Sequence, residues 1–533
     1  MIPVLTADEM RRADRHAIAE AGIPGTTLME NAGAAVARVV EQRHPGASRI
    51  VVLCGRGMNG GDGFVVTRRL SLRAEAILLG SRGDVQGDAR HHLEACERGG
   101  GRVAEVRDEE AWPQALARVA AADLIVDAVL GTGLRSAPSG LAALAIAAMR
   151  ARRDAGVPVV AVDLPSGVPS DSGALAWPVA HATCSVTFAA AKRGHVLPPA
   201  CDATGELVVA DIGLPAESVA SVGPALFLIE AKDAAAAFPR RARGAHKGDF
   251  GHVLVIAGSL GKTGAAVLAA AGALRSGAGL VTVATPEPCQ PLVAAARAEL
   301  MTEPLAVTAT GGLDPGGLAR LLALARERDA VVLGPGLGQD EGTRELVRRF
   351  VRECPVPLVV DADGLNALAP LGDEGRALLR ARSAATILTP HPGEAARLAG
   401  LGTPEIQRDR PAQAVALAHE TGAIVILKGE RTVVAEPGGR AAVSPTGNPG
   451  MATGGTGDVL AGVTGSLLAR HGALLAATAA PYVHGRAGDL AARRRGEEGL
   501  TAGDVAEALP EAIEDVRAAA ARASQGGEAS AIS

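Results

Sequence analysis

Short apolar runs recur along the chain, each closed by a Gly-rich or acidic turn and followed by a segment with helical spacing. The first series has runs at 50–54, 124–127 and 159–163. The second starts at 252–256 and continues through 280–283, 330–333, 358–361, 386–388 and 424–427. Runs without apolar–polar alternation, separated by helical segments, predict buried parallel strands in βαβ units. Two such series predict two α/β domains, at residues 1–225 and 244–520. Between them, 226–243 carries Pro239 and a basic cluster and reads as a linker. The small, polar end, 521–533, is expected to fray. Ligands of open parallel sheets bind at the carboxyl ends of strands, so the turns after these runs are where chemistry is expected.

Composition narrows the picture. The 533 residues are 48% hydrophobic but only 2% aromatic, so the cores must be built from Val, Leu, Ile and Ala. A net charge of −5 over this length, without a basic stripe, argues against nucleic acid or a membrane surface as partner. The six cysteines are scattered and none forms a CxxC pair, which suits a reducing compartment better than a disulfide framework or zinc site. The N-terminus turns charged within its first ten residues, unlike a signal peptide, and a cytoplasmic location is expected.

In the first half, the segment 55–63, GRGMNGGDG, follows a strand and opens a helix. Its glycines permit close approach of a ligand, and the helix start offers free N–H groups to an anion. Two further strand ends carry 127–133, DAVLGTG, and 163–167, DLPSG. Together the three turns bring Asn59, Asp62, Asp127, Asp163 and Ser166 toward one crevice, where a carboxylate could bind a cation or move a proton. Each Asp alone could merely cap a helix. In the second half, 448–462 reads NPGMATGGTGDVLAG. Gly454, Gly455 and Gly457 precede a helix start near Asp458. Backbone N–H groups there can stabilise charge on a transferring phosphoryl, and an aspartate there can take a hydroxyl proton. No Gly-x-x-x-x-Gly-Lys-Ser/Thr loop is present, so this is not a P-loop kinase.

The triplet NGGDG, DAVLGTG and DLPSG, with TADEMRRADRHAI at 6–18 and TTLMENAG at 26–33, resembles the NAD(P)H-hydrate epimerase family over about residues 1–220. That resemblance implies a potassium ion held by Asn59, Asp127 and Ser166. It places the hydrated cofactor on Met58, Asn59, Gly60, Gly61 and Asp62, and on Gly131, Thr132, Gly133, Leu134, Arg135, Ser136 and Ala137. Asp163 would contact substrate and transfer the proton that inverts C6 of the ring. Lys192, in AAAKRGH at 189–195, is a weaker partner, with a solvated surface lysine as the alternative.

The second half resembles the ribokinase-type fold, and within it the ADP/ATP-dependent NAD(P)H-hydrate dehydratases. The motifs are HKGDFG (246–251), GPGLG (334–338), DADGLN (361–366), TPHPGE (389–394), Lys428-Gly429 and the GTGD run. The resemblance places the hydrate against Ala265, Gly336, His391 and Asp458, with Asp458 as catalytic base. ADP would lie against Lys428, Gly429, Glu430, Arg431, Thr432 and Gly457, with Mg²⁺ on its phosphates, although the Glu430-Arg431 pair departs from the family's loop. His391 could instead be structural. The implied fold is α/β in two domains, an N-terminal Rossmann-like three-layer α/β/α domain and a C-terminal ribokinase-like one. The implied function is repair of NADHX and NADPHX: epimerisation of the R and S forms, then ADP-dependent dehydration of the S form, in an enzyme expected to form homo-oligomers.

Three other readings stand beside this one. Gly55, Gly57 and Gly60 fit the dinucleotide fingerprint of a dehydrogenase, but Glu75, at about the right distance, precedes the apolar run at 77–79 instead of closing it. A vitamin-precursor or sugar kinase fused to a nucleotide-binding domain would share the Gly-Thr-Gly-Asp device. A non-catalytic nucleotide sensor would have no need of both aspartates, Asp163 and Asp458.

Overall fold

The computed structural model describes residues 1–134, 136–525 and 530–532. They form two compact α/β units, one of residues 2–224 with 530–532, the other of Met1 with 225–525.

The strands of the first unit are β1 (Ile2–Leu5), β2 (Ile50–Cys54), β3 (Ala74–Leu79), β4 (Arg102–Val106), β5 (Leu124–Ala128), β6 (Val159–Val162), β7 (Cys184–Phe188), β8 (Ala191–Lys192) and β9 (Glu206–Ala210). The main sheet runs β9-β7-β6-β5-β2-β3-β4, all parallel. Every residue of β2, β5, β6 and β7 is buried, as a sheet covered on both faces requires. From β2 the chain winds outward through β3 to β4, then returns to β5 and winds the other way. The strand order therefore reverses between β2 and β5, and the segments after their carboxyl ends, 55–63 and 129–134, flank the crevice that such a reversal opens. β1 pairs in parallel with β8, which sets Lys192 opposite Leu5.

The second unit contributes β10 (Leu226–Leu228), β11 (His252–Ile256), β12 (Leu280–Pro286), β13 (Met301–Leu305), β14 (Ala330–Leu333), β15 (Leu358–Val360), β16 (Thr386–Leu388), β17 (Ile424–Leu427), β18 (Val433–Ala435) and β19 (Ala441–Val443). The order is β13-β12-β11-β14-β15-β16-β17-β18-β19-β10. Pairing is parallel except where β18 runs against β17 and β19. Here the reversal falls between β11 and β14, which brings 257–259 and 334–338 side by side; the Gly258 N–H donates to Pro335 O at 2.8 Å. The helices Thr263–Arg275 and Thr456–Leu468 pack closely along this sheet. Their approach depends on absent side chains: a Cβ on Gly462 would stand 1.8 Å from Ala269 O, and one on Gly272 2.3 Å from Val459 O.

Two expectations change. The segment 226–243, expected as a linker, carries β10 and the helix Ala231–Ala235, both in the second unit. β10 joins β19 in parallel. A three-residue strand beside a basic cluster leaves little apolar pattern to read. The end of the chain does not begin to fray at 521, because the helix Ala502–Gln525 runs through it. A further strand, β20 (Ser530–Ile532), lies antiparallel on β9. Residues 526–529 and Ser533 lie outside the described residues. No described helix is long and apolar enough to cross a membrane.

Candidate active sites

In the first unit a cavity of about 1140 Å³ opens over the ends of β2, β5 and β6. Met58, Asn59, Asp62, Gly131, Thr132, Gly133, Leu134, Ser136 and Asp163 line it together. Gly60, Gly61 and Ala137 do not. Gly60 lies against Gly55 O and Gly61 against Met29 and Ala89, so these two glycines let the helix Met58–Leu70 seat on its neighbours. Arg135 lies outside the described residues.

Asp163 ends β6 in a left-handed conformation, φ 61°, held by its N–H on Val186 O at 2.8 Å. Lys192 is 1% exposed, not a solvated surface lysine. Its Nζ donates to Asp163 Oδ1 at 2.7 Å, to Thr187 Oγ1 at 2.8 Å and to Phe188 O at 3.5 Å. Thr187 Oγ1 donates to the same carboxylate oxygen at 2.7 Å. Burial alone would raise the Asp163 pKa, but the Lys192 ammonium and these hydrogen bonds outweigh it and hold the carboxyl below its ordinary value. Behind the pair, the Lys192 N–H donates to His195 Nδ1 at 2.9 Å, and His195 Nε2 meets Asp163 O at 2.8 Å. These partners assign the neutral Nε2–H tautomer, and burial pushes this imidazole down to about 4. Sequence reading missed His195, whose spacing from Lys192 is that of an ordinary turn, and Asp14, which reaches the cavity from the helix Ala7–Glu20.

Asp127 and Ser166 meet beneath this site. Ser166 donates its Oγ–H to Asp127 Oδ1 at 2.5 Å and its N–H to Oδ2 at 2.7 Å. Asp127 is fully buried, and burial raises its carboxyl to about 6 against the hydrogen bonds from Ser166 and Val129. No lysine or arginine pairs with it among the described residues. Asn59 lies beside Gly131, on the segment that follows β5: a Cβ on Gly131 would stand 3.4 Å from Asn59 Oδ1. The Asn59 amide nitrogen is buried without a partner among the described residues.

The second unit's site gathers over the carboxyl ends of β11, β14, β15, β16 and β17. Asp458 lies in the first turn of the helix Thr456–Leu468, behind Gly455 at φ 94°. Burial, then the charge of Asp361, raise its carboxyl to about 7, with Lys428 opposing. Lys428 Nζ lies 2.5 Å from Asp361 Oδ1 and 3.7 Å from Glu394 Oε2. It also lies against Gly457, where a Cβ would meet it at 3.3 Å. Thr389 Oγ1 donates to Asp361 Oδ1 at 2.8 Å, while Asp361 Oδ2 is buried without a partner among the described residues. Ala265 packs on Gly336, whose carbonyl accepts from Ser259 Oγ at 2.8 Å. Lys262 Nζ reaches Asp363 at 3.3 Å on the same side.

His391 is half exposed, and its Nδ1 accepts from the Gly393 and Glu394 N–H groups at 3.0 and 3.4 Å. It caps the helix Pro392–Ala399, so its structural role is real, and its Nε2 lies 3.4 Å from Glu394 Oε1. In the loop 428–432, Arg431 has φ 52°, and Thr432 Oγ1 donates to Gly429 O at 3.0 Å. The loop is held from behind by Arg410, which donates to Leu427 O at 3.0 Å, Lys428 O at 3.2 Å and Glu430 O. Sequence reading did not assign Asp361 a role, although it ends an apolar run just as Asp127 and Asp163 do.

The dehydrogenase reading loses its acidic residue. Glu75 pairs with Val51 near the start of β3 and points to Arg118 on the surface, far along the strand from the phosphate turn.

Comparison with known proteins agrees with this division. Residues 253–511 match the NAD(P)H-hydrate dehydratase family model, and 25–194 match that of the YjeF-related protein N-terminus. The bifunctional NAD(P)H-hydrate repair enzyme Nnr of Moorella thermoacetica is 43% identical, over 95% of this chain and 96% of that protein. The chain belongs to the bifunctional NAD(P)H-hydrate repair enzymes. The Escherichia coli member is 36% identical, over 94% of this chain and 92% of its own length. Among solved structures, the ADP/ATP-dependent NAD(P)H-hydrate dehydratase of Bacillus subtilis, co-crystallised with ATP and Mg²⁺, is 31% identical over 54% of this chain and 98% of that chain, with a TM-score of 0.47.

Proposed function

We propose that the first unit epimerises hydrated NADH and NADPH at C6 through Asp163, and that the second dehydrates the S form at the expense of ADP through Asp458. The observation that supports the first half is the buried Asp163–Lys192 pair facing the cavity. Asp163 is kept as a carboxylate able to accept a proton, and its Oδ2 is free of protein partners among the described residues. In the second unit, an Asp458 carboxyl poised near 7 can take the C6 hydroxyl proton. The N–H groups at the start of the helix Thr456–Leu468 can face the transferring phosphoryl. Phosphorylation turns the hydroxyl into a good leaving group, and loss of phosphate restores the dihydronicotinamide, leaving AMP. Lys428, engaged with Asp361, would contact the nucleotide as part of that pair.

The ions follow from charge. Asp127, Ser166 and the Asn59 carbonyl supply oxygen ligands with a single negative charge, a donor set that fits potassium better than a divalent ion. A cation would give the buried Asp127 carboxylate the partner it lacks. In the second unit the acidic surplus of Asp361, Glu394, Asp363 and Asp458 over Lys428 and Lys262 suits Mg²⁺, which would neutralise phosphate charge.

The test is incubation with mixed-epimer NADH hydrate, with and without ADP, following the absorbance of regained dihydronicotinamide. Full conversion of both epimers with ADP, and none without, is expected; ATP should serve less well at matched Mg²⁺. Recovery of only half the hydrate would remove the epimerase reading. No recovery would remove the dehydratase reading.

A further inference from the structure

The Asp163–Lys192 pair leaves the epimerisation without a proton donor. Asp163 is a carboxylate, and each of the three Lys192 ammonium protons has an acceptor: Asp163, Thr187 and the Phe188 carbonyl. Loss of hydroxide from C6 needs an acid, because hydroxide is a poor leaving group. Two further carboxyls line the cavity close to the pair, Asp14 and Asp62. Asp62, in the first turns of the helix Met58–Leu70, is the more enclosed, 9% exposed, and makes no hydrogen bond or ion pair with any described residue.

We infer that Asp62 is the general acid of the epimerisation, delivering its proton to the C6 hydroxyl of the hydrated nicotinamide. This rests on the epimerase reading of the cavity. The nearby charges support it: those acting on Asp62 are Asp163, Lys192 and Asp14, three carboxyls beside one ammonium, which disfavours ionising all three together. Burial, then the Asp163 charge, raise Asp62 well above the ordinary carboxylate range; Lys192 opposes and Asp14 adds to the rise. Asp14 is raised too, by burial first. Asp84 and Asp88 also line the cavity, as do Arg11, Arg56 and Arg107.

The step balances without an oxidant. Asp62 gives its proton to the C6 hydroxyl, the C6–O bond breaks, and water leaves with the bonding pair. The N1 lone pair moves into an N1–C6 double bond, forming a ring iminium. Water then adds to the opposite face of C6, its proton goes to Asp163, and the electron pair returns to N1. Asp62 ends as the carboxylate and Asp163 as the acid, so the reverse epimerisation uses the two in exchanged roles.

The test uses the full chain without ADP, with chromatographic separation of the NADPH-hydrate epimers and the spontaneous rate subtracted. Asp62→Asn should lower kcat by about 10²–10⁴-fold with little change in KM. Wild type should lose kcat/KM on an alkaline limb that Asp62→Glu moves. A circular-dichroism spectrum and melting curve matching wild type report that the first unit of each variant has folded. A raised KM with unchanged kcat in Asp62→Asn, or an alkaline limb unmoved in Asp62→Glu, overturns the inference. Should Asp62→Asn not fold, the position of the limb in wild type and Asp62→Glu decides alone. If Asp163→Asn also epimerises normally, the epimerase reading of the cavity has failed, and not merely the role of Asp62.

Discussion

Lys192, on the short strand β8, reaches across to Asp163 at the end of β6, with Nζ 2.7 Å from Oδ1 and the lysine 1% exposed. The pair is largely buried, and both residues line the cavity. Lys192→Met would leave a buried carboxylate without its counter-charge, a loss of about 3–5 kcal/mol that should appear as a lower melting temperature. The sign with pH follows from the lowered Asp163 pKa. Stability from the pair is present above the ordinary carboxylate range and is lost as pH falls through the folded value. The melting temperatures of wild type and Lys192→Met should therefore converge in acid. A difference that persists unchanged at pH 3 would disprove this assignment of the energy.

Potassium should stabilise the first unit, and more so at high pH. The Asp127 carboxyl is raised to about 6, so the folded chain favours its protonated form, and stability falls as pH rises from the ordinary value toward 6. A cation bound beside the carboxylate reverses that cost. Replacing choline by potassium should raise the melting temperature more at pH 8 than at pH 5, and Asp127→Asn should remove the difference. An equal gain at both pH values, or a gain that survives Asp127→Asn, would place the cation elsewhere.

Much of the fold and of both sites was legible in sequence because parallel strands announce themselves as unbroken apolar runs, and because the turns after those runs must gather at one edge of the sheet. That logic found Asn59, Asp127, Asp163 and Ser166, and it applies equally to Asp361 after the run at 358–360. Lys192 was ambiguous for a physical reason. A lysine after three alanines reads as solvated, and only the pairing of β8 with β1 shows it enclosed. Gly60 and Gly61 show the opposite difficulty, since a glycine needed for a ligand and one needed by a neighbouring helix look alike in sequence. Asp14 and Arg410 act across long sequence separations from amphipathic helices, where a charged residue carries no local mark of its target.

Dehydration should have an acid limb set by Asp458. A base must be ionised to accept the hydroxyl proton, so kcat/KM with saturating ADP should rise with pH through about 7, the value to which burial and Asp361 bring this carboxyl. Asp361 is the largest charge raising it. Asp361→Asn should therefore move the limb to lower pH even as it loosens Lys428 and lowers the rate. A limb that stays in place in Asp361→Asn would show that another group controls it.

The two reactions should separate at single residues. Asp163 and Asp458 lie in different compact units, Asp163 directly after β6 and Asp458 in the first turn of the helix Thr456–Leu468. Asn in place of either keeps the side-chain shape while removing the base, a change that typically costs about 10²–10⁴-fold in rate. Asp458→Asn should abolish ADP-dependent dehydration yet interconvert the epimers at the wild-type rate. Asp163→Asn should consume the S form with ADP and leave the R form to decline only by spontaneous epimerisation. Mixing the two variants should then restore full conversion, since each supplies what the other lacks and the hydrate can diffuse between them. Chromatography of both epimers over time reads all three outcomes together. If either substitution disables both reactions in a chain that still melts cooperatively, one reaction per unit is the wrong description, and the two sites must depend on each other.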